Sequence, residues 1–209
     1  MNDEPNFVKS VNHKADKYYW QLIWENFKSG DRKAFEIIYN EFVDVMFSYG
    51  SRITKDRDML EDCIHDVFIS LYQYGSELRK PESLEFYLLK SLKHTIFRKL
   101  KESDRYLNDQ KINETFDLKF SVENTDSTNI SDEQTKKLQK DIQKLDSKKR
   151  ELLFLKFNSG LTYKEIGKLL DLNPDAVKKQ VYRLLKFMRD RLGDTFLELF
   201  VIFKKDMFF

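Results

Sequence analysis

LTYKEIGKLLDLNPDAVKKQVYRLLKFMRDRL, residues 161–192, reads as two helices joined by a tight turn. Thr162 with Glu165 three residues on is a capping box, each residue satisfying a backbone N–H at a helix start. Ile166, Leu169 and Leu170 then fall on one face. Asp171-Leu172-Asn173 makes the turn. Asn173 is placed to cap the second helix and Pro174 to occupy its first position; Asp175 lies in the first turn, where the helix dipole favours an anion. Val177, Val181, Leu184, Leu185, Met188 and Leu192 form an apolar stripe along it.

The opposite face carries Lys178, Lys179, Tyr182, Arg183, Lys186 and Arg189. A short helix, a three-residue turn and a basic second helix is the pattern of a helix-turn-helix. Such a second helix offers its N-terminal half to base edges in a major groove, while flanking cations neutralise phosphates. Asp175, Lys178, Lys179, Tyr182 and Arg183 follow helical spacing and share that surface. A solvated basic helix in an ordinary bundle has the same spacing, so the pattern alone leaves both readings open.

Composition sets the frame. Hydrophobic residues make up 41% of 209, enough to build cores, while Gly at 6 and Pro at 3 disfavour a turn-rich all-β fold. Phe at 18 and Tyr at 10 let small cores be filled by large rings. The net charge of +2 hides an asymmetry. Residues 134–192 carry 16 Lys/Arg against 7 Asp/Glu, a net of +9; residues 104–133 carry 3 against 8, a net of −5. A basic C-terminal module behind an acidic connector suits a nucleic-acid partner. With Cys63 the sole cysteine, no intrachain disulfide forms. No signal peptide is expected, since the N-terminus lacks an apolar segment, and no run reaches the roughly 18 apolar residues of a membrane span. The expectation is a soluble, cytoplasmic, all-α protein without membrane insertion.

Upstream, residues 1–19 read as a polar extension. From Trp20 the pattern is helical, with Leu22, Ile23 and Phe27 as a first apolar cluster. Ser29-Gly30-Asp31 breaks it and Asp31 caps a second helix with Phe35, Ile38, Tyr39, Phe42, Met46 and Tyr49 at three- and four-residue steps. Asp56 to Tyr74 is a third helix, with Leu60, Ile64, Val67, Phe68 and Leu71 inward. Asp58, Glu61, Asp62, His65 and Asp66 crowd its exposed side, where early acids often serve only the dipole. After a loop from Gly75 to Pro81 that includes Arg79 and Lys80, a helix runs to about Lys101. Leu89, Leu92, Ile96 and Leu100 face inward; Lys90, Lys93, His94, Phe97, Arg98 and Lys101 face out, with Phe86 and Tyr87 near the start. Cations interleaved with aromatics suit single-stranded DNA, where bases stack and phosphates need neutralising. Packing of Phe86 and Phe97 in the core, with solvated lysines, fits the pattern equally well.

Residues 104–133 are a flexible acidic linker between two small helical domains, residues 20–103 and 134–192. Thr135 to Phe157 gives a helix or pair, stopped at Asn158-Ser159-Gly160, with Gly160 placed as a helix C-cap. The tail, residues 193–209, is apolar from Phe196 to Phe203 apart from Glu198 and too short to span a bilayer. His13, His65 and His94 are scattered, and Cys63-Ile64-His65 lacks the further ligands of a zinc site. No phosphate-cradling glycine loop or nucleophile motif occurs. An enzyme, a cofactor and a metal are therefore not expected.

Two separated stretches agree on a family. EDCIHDVFISLY, Glu61–Tyr72, resembles the polymerase-binding helix of bacterial RNA polymerase sigma factors. LDSKKRELLFLKFNSGLTYKEIGKLLDLNPDAVKKQVYRLLKFMRDRL, Leu145–Leu192, resembles their promoter −35 domain. Their spacing and the short linker are similar to the extracytoplasmic-function class of the sigma-70 family, which has only these two domains. The resemblance implies that Asp62, Asp66 and Phe68 dock on the coiled coil of the core polymerase β′ subunit, with Ile64, His65 and Val67 in the same contact. It implies that Phe86–Lys101 is the −10 region, with Arg79, Lys80, Phe86, Tyr87, Lys90, Lys93, His94, Phe97 and Arg98 as contacts, and that the loop before it captures a flipped base. Asp175, Lys178, Lys179, Tyr182, Arg183 and Lys186 then read the −35 element. The family commonly has Gln where His65 stands, and an Ala-Arg-Asn-like run where Leu92-Lys93-His94 stands. Promoter DNA, core polymerase and an anti-sigma factor are the implied partners. The competing reading is a conventional helix-turn-helix regulator that binds duplex DNA as a dimer without polymerase; a helical interaction protein that binds neither is the other.

Overall fold

A computed structural model describes residues 15–75, 77–78, 83–103, 116–118, 136 and 140–192. Among them every regular element is a helix: α1 (Ala15–Lys28), α2 (Arg32–Gly50), α3 (Arg57–Tyr74), α4 (Leu84–Ser103), α5 (Ser147–Phe157), α6 (Tyr163–Leu170) and α7 (Pro174–Leu192). The all-α expectation holds. The apolar tail and most of the linker lie outside the described residues.

The first four helices form an N-terminal unit. α1 begins at Ala15, inside the stretch read as an extension. It turns inward Ile23, Trp24 and Phe27, while Leu22 is 47% exposed. The expected cluster is therefore rotated by a residue: the wide indole of Trp24 takes the buried place, at 2% exposure. Gly30 follows with φ +91°, a left-handed turn that favours glycine. Asp31 caps α2, its carboxylate accepting the Lys33 N–H at 2.8 Å. Ala34, Ile38, Phe42, Met46 and Tyr49 run down the buried face of α2. Asp56 caps α3, accepting from Met59 N–H at 3.0 Å, and Ser83 Oγ accepts from Phe86 N–H at 3.1 Å to open α4. Leu60, Cys63, Ile64, Val67, Phe68 and Leu71 from α3 meet Leu84, Leu88, Leu89, Leu92 and Ile96 from α4. Each such aliphatic side chain contributes about 1.5–3 kcal/mol by leaving water.

The C-terminal unit is built around α5. The expected helix or pair over 135–157 is a pair: residues 140–143 are helical, and α5 restarts after the Asp146 cap, which accepts Lys149 N–H at 2.8 Å. Leu152, Leu153, Phe154 and Leu155 are all buried in succession, so α5 is covered on every side. Its C-cap is Asn158, and Gly160 stands two residues beyond, at φ +61°, where Leu161 N–H reaches back to Leu155 O at 3.0 Å. The glycine thus serves the chain reversal after the helix, rather than the cap itself.

The two units share one hydrophobic cluster. Phe116 and Leu118, from the middle of the acidic connector, are 3% and 1% exposed. Phe116 packs tilted against Tyr49 of α2 and edge-on to Phe154 of α5, each ring centroid 5.7 Å from the next. Its backbone N–H donates to Ser147 Oγ at 2.7 Å, and Asp117 N–H donates to Arg52 O at 2.8 Å. Phe116 thus bridges α2 and α5.

Candidate nucleic-acid interface and docking face

The capping box at Thr162 forms as the spacing predicts. Thr162 Oγ1 accepts the Glu165 N–H at 3.3 Å and the Glu165 carboxylate accepts the Thr162 N–H at 2.8 Å. α6 ends on Asp171, the one non-glycine residue with a left-handed backbone among those described, at φ +54°. The turn then passes so close to α6 that a Cβ on Gly167 would lie 2.6 Å from Leu172 O. Only glycine lets the turn approach this closely. Asn173 Oδ1 accepts the Asp175 N–H at 2.8 Å, and Pro174 opens α7 as expected. Val177, Val181, Leu184 and Met188 are buried, which fixes the rotation of α7.

That rotation leaves Asp175, Lys178, Lys179, Tyr182, Arg183 and Lys186 exposed on one face, with Tyr182 at 71%. No ion pair engages these four cations among the described residues. At the far end, Arg191 Nη1 meets Asp141 at 2.8 Å, and Lys144 meets the same carboxylate at 2.9 Å. Burial works against the Asp141 charge, but the two cations outweigh it and hold its pKa below the ordinary range. The pair anchors the end of α7 to the turn of helix at 140–143, so the basic face is carried on a fixed frame.

The face of α4 differs from the sequence reading. Lys90, His94 and Arg98 are exposed. Lys93 is not: its ammonium lies 2.8 Å from the Glu151 carboxylate of α5, with side-chain exposures of 16% and 8%. Phe86, Tyr87 and Phe97 are half-buried against the core, because the face of α4 read as outward is in part a packing face. Lys90 lies over the Phe86 ring at 5.8 Å and Lys93 over Phe97 at 5.7 Å, so cations and rings do interleave. Arg79 and Lys80 lie outside the described residues.

On α3, Asp62 is 77% exposed and Asp66 46%; Lys99 of α4 reaches them at 3.9 and 3.0 Å. Burial works against the Lys99 ammonium, but the Asp66 hydrogen bond and the acidic pair outweigh it and raise its pKa. Ile64 and Val67 are core residues at 5% and 4% exposure. Phe68 is also buried, yet one side of it lines an open groove with Phe35, Tyr39, His65, Ile69, Tyr72 and Gln73. The groove has a volume of about 430 Å³. Tyr39 and Phe68 pack tilted with centroids 4.7 Å apart and Phe35 meets Tyr72 edge-on at 5.1 Å. Tyr39, Ile69 and Tyr72 are each more than 40% exposed, an unusual cluster of uncovered apolar surface.

Sequence reasoning missed the α2 side of this groove, since Phe35 and Tyr39 sit in the same periodic pattern as the core residues of α2. It also missed Lys99, Tyr49 and Glu151, whose partners are distant in the chain. Among the described residues no group of three His, Cys, Asp or Glu is placed to hold a metal, and no helix is long and apolar enough to cross a membrane.

Comparison with known proteins adds one assignment. Residues 136–188 match the family model described as Sigma-70, region 4. No curated protein sequence matches the chain. Among solved structures, the chain is similar to the sigma factor RpoE in complex with the anti-sigma factor NepR from Bartonella quintana, at 16% identity and TM-score 0.44, covering 88% of this chain and 98% of that one. It is also similar to CnrH in complex with the cytosolic domain of CnrY, at 17% identity and TM-score 0.47, covering 78% and 89%.

Proposed function

We propose that this chain, whose C-terminal unit belongs to the sigma-70 family as its region 4, binds core RNA polymerase and directs it to promoters. The observation that carries the reading is the α7 face. Within the region 4 unit, Asp175, Lys178, Lys179, Tyr182, Arg183 and Lys186 are exposed together on the second helix of a capped helix-turn-helix. In a major groove the long cations reach phosphates and guanine edges, and Asp175 at the helix start accepts from cytosine amino groups.

The remaining parts of the proposal follow the same chemistry. The acidic pair Asp62 and Asp66, beside the Phe68-lined groove, suits a basic and apolar helix surface such as the polymerase β′ coiled coil. Apolar contacts supply affinity there, while the acids set orientation and on-rate. Lys90, His94 and Arg98, with Phe86, Tyr87 and Phe97, give α4 the cations and rings that an unpaired −10 strand needs. The chain itself makes or breaks no bond in this scheme; the polymerase does. The proposal includes an anti-sigma partner and a cytoplasmic site of action, as the family resemblance implies.

The test is capture of the chain by purified cognate core polymerase, with no anti-sigma factor present. Wild type is expected to be retained, and Asp62→Lys/Asp66→Lys to be lost with its helix content unchanged by circular dichroism. Failure of the wild type to bind its cognate core would overturn the reading in favour of a regulator acting without polymerase. Equal retention of both proteins would remove α3 as the docking face.

A further inference from the structure

Two apolar surfaces of this chain call for cover. One is the groove between α2 and α3, where Tyr39, Ile69 and Tyr72 stand exposed beside Phe35 and Phe68. Its volume of about 430 Å³ has room for several apolar side chains. The other is the run Phe196–Phe203, FLELFVIF, in which Glu198 is the single charge. That run lies outside the described residues. Water penalises both surfaces, and each gains by meeting an apolar partner. The charges beside them match as well. Asp62 and Asp66 lie on α3 just before the groove-lining Phe68, Ile69 and Tyr72, with Asp62 77% exposed. Lys99 reaches both at 3.9 and 3.0 Å, so one ammonium is shared between two carboxylates and the pair keeps a net negative charge. The apolar run ends in Lys204-Lys205.

We propose that the groove between α2 and α3 is the seat of the chain's own residues 196–205, with Phe196–Phe203 against its rings and Lys204-Lys205 at Asp62 and Asp66. Reach permits it. From Leu192, where α7 ends, to Phe203 the chain spans up to about 36–40 Å when extended, more than twice the roughly 17 Å radius of gyration of a compact chain of this length. Order favours it. An apolar run followed by two cations fits apolar walls bordered by two carboxylates, whereas residues 1–14 offer no comparable run. Tethering favours it too, since groove and segment meet at an effective concentration in the millimolar range. The seat stands on the groove and the segment; its consequence rests on the proposed docking of core polymerase in the same groove. The segment carries the apolar and basic chemistry that this face is proposed to take from the polymerase, so the two occupants exclude one another. The apparent affinity for polymerase then falls with the fraction of chains whose groove is open.

The test is hydroxyl-radical footprinting of the full chain, read by mass spectrometry, with circular dichroism reporting helix content. With helix content retained, Phe200→Asp/Phe203→Asp is expected to raise oxidation of Tyr39, Ile69 and Tyr72 about threefold and to leave Tyr182 on α7 unchanged. Lys204→Glu/Lys205→Glu is expected to give a smaller rise. Adding Asp62→Lys/Asp66→Lys to it is expected to restore protection, a rescue that general loosening of the fold does not produce. Equal oxidation of Tyr39 and Tyr72 in wild type and Phe200→Asp/Phe203→Asp would overturn the seat. Protection that fades as the wild type is diluted would overturn it in favour of a segment from a second copy. Titration with cognate core polymerase reads the consequence: Phe200→Asp/Phe203→Asp is expected to bind about threefold tighter than wild type. An opened groove with no gain in affinity would leave the seat standing and remove the groove from the polymerase contact.

Discussion

Glu85 shows how one residue reports on its surroundings. Its carboxyl is pushed up to about 8, first by burial, with Glu165 and Glu41 adding to the rise and Ser159 opposing it. An unfolded glutamate ionises near pH 4.5, so between that value and about 8 the folded chain holds a proton that the unfolded chain has lost. Stability therefore falls as pH rises through this window. Glu85→Gln removes the dependence, and is expected to raise stability by about 1–2 kcal/mol at pH 8 with little effect at pH 4.5, after discounting for the partial exposure of the group. Urea denaturation of both proteins at the two pH values checks it; equal midpoints at pH 8 would show that Glu85 is solvated. Gly167 carries a different kind of information. Nothing in the periodicity of α6 marks it, and its need is seen only where the turn at Leu172 passes beside it.

Among the elements, α7 is the most fully legible. Its cap, first proline, buried stripe and basic face are local properties, each set by residues within a few positions of one another. A chain with that stripe buries it, and the cations have nowhere to go but solvent. Lys179→Ala on this face is expected to weaken binding to −35 duplexes of different sequence by a similar factor, and to reduce the salt slope by about 1. Anisotropy titrations across a salt series measure this. An unchanged slope with altered sequence preference would move Lys179 from phosphate contact to base reading. α4 was legible only in part. Its helix span and inward leucines follow from periodicity, but Lys93 and Phe97 look outward on a helical wheel, and the structure pairs Lys93 with Glu151 of the other unit and half-buries Phe97 against the core. The acidic face of α3 was visible as composition. The groove beside it was not, since half of its wall comes from α2.

At the scale of the molecule, the seam decides whether the two units unfold together. Phe116 has 3% exposure and touches rings from both, so it is the residue on which their coupling most depends. Phe116→Ala is expected to cost about 3–5 kcal/mol and to separate a single thermal transition into two. Scanning calorimetry with near-ultraviolet circular dichroism measures this. A single transition shifted downward without broadening would mean that the units stay coupled through α4 and α6 alone.

The sequence by itself determined that the chain is helical, the caps at Asp31, Thr162 and Asn173, and the basic face of α7, because each depends on spacing and chemistry within a few turns of chain. It also carried the pattern of the Sigma-70, region 4 model, matched over residues 136–188. Only the tertiary structure decided which side of α4 is open, where Glu151 places its charge, that Phe116 and Leu118 are buried within a polar connector, and that α2 and α3 leave a groove between them. These are contacts between residues far apart in the chain. Hydrophobic periodicity says that a face will be covered, but not which partner covers it; that depends on how the elements pack, and a buried charge reveals its place only through the group that neutralises it.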